Sequence, residues 1–478
     1  MKYAQIIKFE FKHLPHLMKK IYCLLLLLSA LNYRPAVAQI DTVANISTED
    51  KLYGLSKFWS EVSVNFAYFD HAKVNWDSTY RAYIPKVIAT KNTWEYYMLM
   101  QRFCALLKDG HTGVGFPEKL LTHKSRYKWI YIENFNKKFI ITDIPVQYKD
   151  QVPLGSEVLS VDGVPTKEYA EKELIPYISS STDHVLWNTA AAMMFYGTDS
   201  TKLFHLKLKT PQGKVIPYDY QFHTYGTKWV RRNGNTPWKM LDFKVIDGIG
   251  YVKLNSFADE AIDTAFKKIV PQLYACKGVI LDLRDNGGGD TGVGAEILKY
   301  FTDKKMLVGS AWKTRDNLSS FKAWGYYQAK DTSKKVPNAW QKKALDSYKG
   351  NYWYQGDTMT FNNDVKEQKI TTPLIVLTSN NTASAAEDFL IILDGLKGRA
   401  TTMGQRTYGS TGQPLPISLP GLTDGRICTK RDTYPDGRDF VGIGVIPDIE
   451  IPRNPSDVIA GTDTVLQAAL KEMSKKVK

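Results

Sequence analysis

The run Leu374-Ile-Val-Leu-Thr-Ser-Asn-Asn-Thr-Ala-Ser384-Ala-Ala-Glu387-Asp-Phe-Leu-Ile-Ile-Leu393 leaves the chain few folds. A short apolar, β-rich stretch stops in a polar turn, and a helix-period pattern follows at once, so the segment reads as strand, tight turn, helix. Residues 249–254 and 278–283 read as further strands, the latter buried, and 259–274 and 291–301 as helices. Strands alternating with helices imply an α/β layer architecture. Ser384 opens the helix after the last of these strands. A hydroxyl there sits beside free backbone N–H groups and the positive end of the helix dipole, which can hold a developing oxyanion. Ser384-x-x-Glu387 is also a capping box, and such a box by itself only starts a helix.

The chain of 478 residues, 43% apolar and 12% aromatic, has room for two or three domains. Its first residues read as a leader. Lys19-Lys20 precede an apolar run, 21–31, and a polar stretch ends in Ala36-Val37-Ala38. That pattern predicts a secretory signal peptide over 1–38 and an exported protein, periplasmic or extracellular. The apolar run is too short to span a bilayer, so no stable membrane anchor is expected. Removing 1–38 takes away six Lys/Arg and one Glu and lowers the formal charge from +14 to +9. These charges are scattered with no dense basic block, which argues against nucleic acid as a partner. Cys104, Cys276 and Cys428 match neither a disulfide framework nor a zinc site, and the histidines show no paired-ligand spacing. No metal or other cofactor is expected.

Four pieces follow the leader. Over 49–124, Leu52, Leu55, Phe58, Trp59, Val62 and Phe66 recur at three- and four-residue steps, and so do Trp94, Tyr97, Met100, Cys104 and Leu107. That is a helical N-terminal domain, and its second helical run ends at Asp109-Gly110-His111. A lone histidine after a helix end is by default a surface or capping group. Residues 125–232 are rich in strand and turn signals, and 154–165 (Leu-Gly-Ser-Glu-Val-Leu-Ser-Val-Asp-Gly-Val-Pro) resemble the central segment of PDZ domains, with Ser156 where that family favours Asp. The resemblance implies a domain that takes an extended peptide at a sheet edge. Residues 243–460 form the largest, α/β piece. Its Arg284-Asp-Asn-Gly-Gly-Gly289 loop is neither GxGxxG nor a P-loop, which argues against a nucleotide, but it could bring bare N–H groups close to a ligand. An aromatic-rich insertion at about 305–370 is either a packed appendage or a lid, and 461–478 is a C-terminal helix or tail.

Taken in order, Asp282-Leu-Arg-Asp-Asn-Gly-Gly-Gly289, Thr382-Ala-Ser-Ala-Ala-Glu387, Gly404-x-x-Thr-x-Gly409 and Gly442-Ile-Gly-Val-Ile-Pro-Asp448 resemble the tail-specific (C-terminal processing) and tricorn-core serine peptidases. The resemblance implies a multidomain α+β chain: a helical N-terminal domain, a PDZ-like domain and a crotonase-like ββα core. One branch of that family activates its serine with a lysine just after the Thr-x-Gly motif, where this chain reads Gly409-Ser410-Thr411. The tricorn-like branch uses a histidine in an Asp-Gly-His segment, which His111 matches. The implied machinery is Ser384 as nucleophile, His111 as general base, Gly288 and Ala385 as oxyanion donors, and Asp439 as the acid, with Asp436 the alternative. Relatives often carry a Glu directly before the last glycine run; Val441 stands there. The implied activity is hydrolysis of peptides or unfolded proteins, docked on the PDZ-like domain. Three other readings remain: a binding protein whose catalytic residues have decayed, a Ser-Lys peptidase using Lys397 or Lys430, and a different acyl hydrolase.

Overall fold

A computed structural model describes residues 45–117, 130–195, 202–221, 228–231, 238–332 and 336–477. The expected signal peptide, 1–38, lies outside the described residues. Among these, no helix is long and apolar enough to cross a membrane.

Helices α1 (Thr48–Asn65), α2 (Trp76–Ile88) and α3 (Thr93–Ala105) each start at a polar cap, Ser47, Asn75 and Asn92, whose side chain accepts a backbone N–H of the first turn. Losing one such cap typically costs about 1 kcal/mol. Leu55, Phe58 and Val62 share one face of α1 and pack in an apolar cluster with Trp76 and Phe103, whose rings stack with centroids 4.3 Å apart.

A six-stranded antiparallel sheet follows: β1 (Tyr131–Phe135), β2 (Lys138–Asp143), β3 (Glu157–Val161), β4 (Val164–Pro165), β5 (Leu203–Lys209) and β6 (Val215–Gln221). Their order is β1-β2-β3-β5-β6, with β4 paired to β3. Val161 faces Val164 across the two-residue turn Asp162-Gly163, and the φ values of +49° and +80° there are those a tight hairpin turn requires. With α4 (Asp183–Ala192) the sheet closes an apolar cluster of its own around Ile141, Val158, Trp187 and Leu206.

The rest of the chain holds β7 (Leu241–Ile246), β8 (Ile249–Leu254), β9 (Gly278–Asp282), β10 (Met306–Val308), β11 (Ala311–Arg315), β12 (Trp353–Gln355) and β13 (Thr360–Asn362). Then come β14 (Leu374–Thr378), β15 (Ala400–Gly404), β16 (Pro414–Ile417), β17 (Gly425–Cys428), β18 (Lys430–Thr433) and β19 (Ile449–Glu450). Its longer helices are α5 (Ala261–Leu273), α6 (Thr291–Leu298), α7 (Ser319–Gln328), α8 (Ala339–Tyr348), α9 (Ala385–Asp394) and α10 (Thr464–Lys476).

The central sheet runs β19-β15-β14-β9-β8-β7, parallel except for the β7–β8 hairpin. Every residue of β9 and β14 is buried, as expected of parallel strands covered on both faces. Because side chains alternate along a strand, Val279, Leu281, Leu374 and Val376 enter the cluster shared with α5, α6, α9 and α1–α3. Ile280, Ile375 and Leu377 point the other way, against Val465, Ala469 and Met473 of α10. Each such side chain stabilises the fold by roughly 1.5–3 kcal/mol through burial. The insertion at 305–370 is sewn in by β11, which pairs with β12 and β18. It carries the hairpin of α7 and α8, whose Trp324 and Trp340 rings lie 5.3 Å apart and half exposed. The whole is a mixed α+β multidomain architecture, the class the sequence implied.

Candidate active site

Strand β14 ends in a turn that is tied down at each step. Thr382 Oγ1 donates to Leu283 O (2.8 Å) and accepts from Ser379 N–H (3.0 Å), while Ala383 N–H donates to Asn286 O (3.0 Å). The turn delivers Ser384 to the start of α9 with φ +55° and ψ −124°. A side chain with positive φ is held against its own preference, at a cost of about 1–3 kcal/mol. Surrounding contacts impose it. Gly288 packs so tightly on this turn that a Cβ there would lie 2.7 Å from Ser384 Cβ and 2.8 Å from Ala383 O.

Glu387, three residues into the same helix, is fully buried. Its carboxylate accepts from Ser384 N–H (3.2 Å), the Thr407 hydroxyl, Gly409 N–H (2.7 Å) and Ser410 N–H (3.2 Å). Burial pushes its pKa up to about 8, against those four donors, which favour the charged form. The capping residue therefore also clamps the Thr-x-Gly loop onto the helix start. The last glycine run supports that loop from outside: Val445 N–H donates to Thr407 Oγ1 (2.6 Å) and Gly442 N–H to Gly409 O (2.8 Å). From the β1–β6 domain, His184 Nε2 hydrogen-bonds Thr407 O (2.7 Å) and Thr182 Oγ1 donates to Tyr408 O (3.0 Å).

His111 arrives from the other end of the chain. Buried Asp109 shapes its turn, accepting from Thr112 Oγ1 (2.6 Å) and Ser181 Oγ (3.3 Å). The backbone at Gly110 lies against Tyr408, where a Cβ would meet the ring at 2.6 Å. Only 8% of His111 is exposed, and its Nδ1 lies 2.7 Å from Ser410 Oγ. Burial, helped by nearby Arg426 and Lys430, lowers its pKa to about 4. The imidazole is therefore neutral, as a base must be. His111 and Ser384 line one cavity of about 590 Å³ with Gly287, Gly289, Tyr408 and Arg426.

Other expected members sit differently. Asp439 is half exposed and 3.9 Å from Arg431, and it is not among the residues lining the cavity. Asp436 pairs with Arg438 at 2.8 Å. Of the expected oxyanion donors, Ala385 N–H has no protein acceptor among the described residues, as the first turn of a helix allows, whereas Gly288 N–H donates to Asn286 Oδ1 (2.9 Å). Lys430 pairs with buried Asp432 at 3.0 Å. Lys397 is exposed past the far end of α9, roughly 15 Å of helix from Ser384. Neither lysine lines the cavity. Ser410 and His184 went unrecognised in the sequence, and Glu387 was read only as a cap. Ser410 had a signal of its own, since it stands where a relative's lysine would.

Residues 248–451 match peptidase family S41. The chain carries an S41 peptidase domain. That domain contains Ser384, the glycine loop and the Thr-x-Gly loop, and it places the chain among the serine-type peptidases. A carboxyl-terminal-processing protease of Picosynechococcus sp. is 23% identical over 455 residues, covering 93% of this chain and 92% of its own. The chloroplastic C-terminal processing peptidase of Tetradesmus obliquus is 28% identical over 211 residues, 42% of this chain and 35% of that protein. Among solved structures, mature CPAF complexed with lactacystin shares this chain's fold with a TM-score of 0.65 at 16% identity, covering 90% of this chain and 97% of that one. The S41 domain begins at residue 248, so His111 comes to it from outside, on the segment after α3.

Proposed function

We propose that this protein is an exported serine endopeptidase that hydrolyses peptide bonds through an acyl-enzyme on Ser384, with His111 as general base. One observation carries the reading: Ser384, on a strained backbone at a helix N-terminus, shares a cavity with a buried, neutral histidine. A serine hydroxyl is a weak nucleophile until a neighbouring base takes its proton. In the proposed sequence, Ser384 Oγ attacks the substrate carbonyl carbon while its proton passes to His111 Nε2. The oxyanion forms against the Ala385 N–H at the positive end of α9; Gly288 N–H would have to leave Asn286 to join it. Losing one such donor typically costs about 3 kcal/mol of transition-state stabilisation. The imidazolium then returns the proton to the leaving amine, and water repeats the cycle on the ester.

The substrate class proposed is a peptide or unfolded protein, with the β1–β6 domain as the docking site and the leader 1–38 as the export signal. Two features support the histidine route over a Ser-Lys pair: Lys430 is engaged by Asp432, and Lys397 lies beyond the far end of α9. The carboxylate implied by the resemblance, Asp439, would have to leave Arg431 to reach the imidazole.

The test is digestion of a reduced, alkylated protein by the mature enzyme, with products read by mass spectrometry. New peptides with wild type and none with Ser384→Ala are expected. Intact substrate in the presence of demonstrably folded wild type would refute the reading.

A further inference from the structure

We infer that Ser410 is the positioning residue that holds the His111 imidazole for proton transfer, in the place a carboxylate takes in other triads, and that Glu387 fixes Ser410 from behind. This rests on the serine-peptidase reading above and deepens it.

Ser410 touches both halves of the catalytic pair. Its Oγ lies 2.7 Å from His111 Nδ1, and its carbonyl accepts the Ser384 N–H at 3.3 Å. Its own N–H donates to Glu387 Oε2 at 3.2 Å, and the Gly409 N–H before it donates to Oε1 at 2.7 Å. The residue is fully buried, so no water competes for the hydroxyl from bulk. Gly409 makes the loop possible by taking φ +73° against Gly444. Gly110 lets the histidine segment close on it, since a Cβ there would be 3.3 Å from Ser410 Cβ.

Carboxylates elsewhere in the region are engaged. Asp109 takes Thr112 and Ser181, Asp432 pairs with Lys430, Asp439 pairs with Arg431, and Glu387 faces its four donors. Among the described residues none hydrogen-bonds His111. The charged groups that act on the ring are Arg426 and Lys430, both cationic, with Glu387 held one residue away behind Ser410. A hydroxyl can accept from Nδ1–H and fix the ring plane and tautomer. It does not stabilise the imidazolium as a carboxylate does. The proton moves from Ser384 Oγ to Nε2 and then to the leaving amine, while Nδ1–H stays on Ser410 Oγ throughout.

The experiment measures kcat and KM from pH 4 to 9 on a quenched-fluorescent peptide chosen from the wild-type digest. It uses the full mature chain as wild type, Ser410→Ala, Ser410→Asp and Asp439→Asn, each checked for folding by thermal melt. Ser410→Ala is expected to lower kcat by about 10²–10³-fold with KM within a few-fold, since a base with the wrong tautomer loses about 10⁴. Ser410→Asp is expected to keep more activity than Ser410→Ala. It should also move the acid limb of kcat/KM up toward the ordinary histidine range, which a purely structural role of Ser410 would not do. Wild-type kcat in Ser410→Ala, or a larger loss in Asp439→Asn than in Ser410→Ala, would overturn the proposal. If Ser410→Ala melts early, the acid limb of Ser410→Asp decides: unmoved from wild type, it overturns the proposal. A folded wild type with no hydrolysis at any pH would overturn both this inference and the reading beneath it.

Discussion

Ser384 holds a backbone conformation that favours glycine, and the nucleophile role proposed for it would give its side chain a reason to tolerate the strain. Replacing it by glycine removes the Cβ that opposes φ +55°, whereas alanine keeps that Cβ and loses only the hydroxyl. Glycine's greater unfolded-state entropy offsets part of the relief. Ser384→Gly should therefore unfold at higher urea than Ser384→Ala, by a net of about 1 kcal/mol, with both variants inactive. Equal midpoints would mean that the turn holds no strain at this position. The identity of Ser384 was legible from its place between an apolar run and a helix, but its dihedrals were not, because Gly288 and the Asn286 carbonyl impose them from a distant loop. His111 was legible only through Asp-Gly-His in company with the other motifs. Ser410 was seen as the absence of a lysine, although its hydroxyl is what meets His111.

Helix α9 and the Thr-x-Gly loop act as one element because Glu387 joins them. Ser384-x-x-Glu387 was readable as a helix cap, and the Ser384 N–H does donate to Glu387. The other three donors, from Thr407, Gly409 and Ser410, come from about twenty residues downstream, and no local pattern shows a contact of that range. A glutamine at 387 would offer one carbonyl oxygen and turn an NH2 group toward donors. Leaving buried donors unpaired costs about 1–3 kcal/mol each at most sites. Measured at about pH 9, above the raised Glu387 pKa of about 8 so that the group is the charged carboxylate, Glu387→Gln should lower the unfolding midpoint and reduce kcat by at least tenfold, since the loop carrying Ser410 loses its anchor. Wild-type stability and rate in that variant would show that the carboxylate is not the clamp.

In the whole molecule, the cavity that Ser384 and His111 line is assembled from segments far apart in the chain. Helices α1–α3 bury their apolar faces in the same cluster as α5, α6 and α9, and this shared core sets the segment carrying His111 against the S41 domain. The β1–β6 domain keeps a separate core but reaches the Thr-x-Gly loop through Thr182 and His184. The order of motifs and the α/β layering were legible because buried strands and helix periods are local. The strand pairing that sews in the 305–370 insertion was not, since β11 meets β18 across more than a hundred residues. The role proposed for this assembly is to make Ser384 a nucleophile through His111. Labelling of purified protein with a serine-reactive fluorophosphonate, comparing wild type with Ser384→Ala and His111→Ala, tests this. One label per wild-type chain, mapped to the peptide containing Ser384, is expected, and none in either folded variant. A folded wild type that stays unlabelled, or a His111→Ala protein that labels at the wild-type rate, would contradict it.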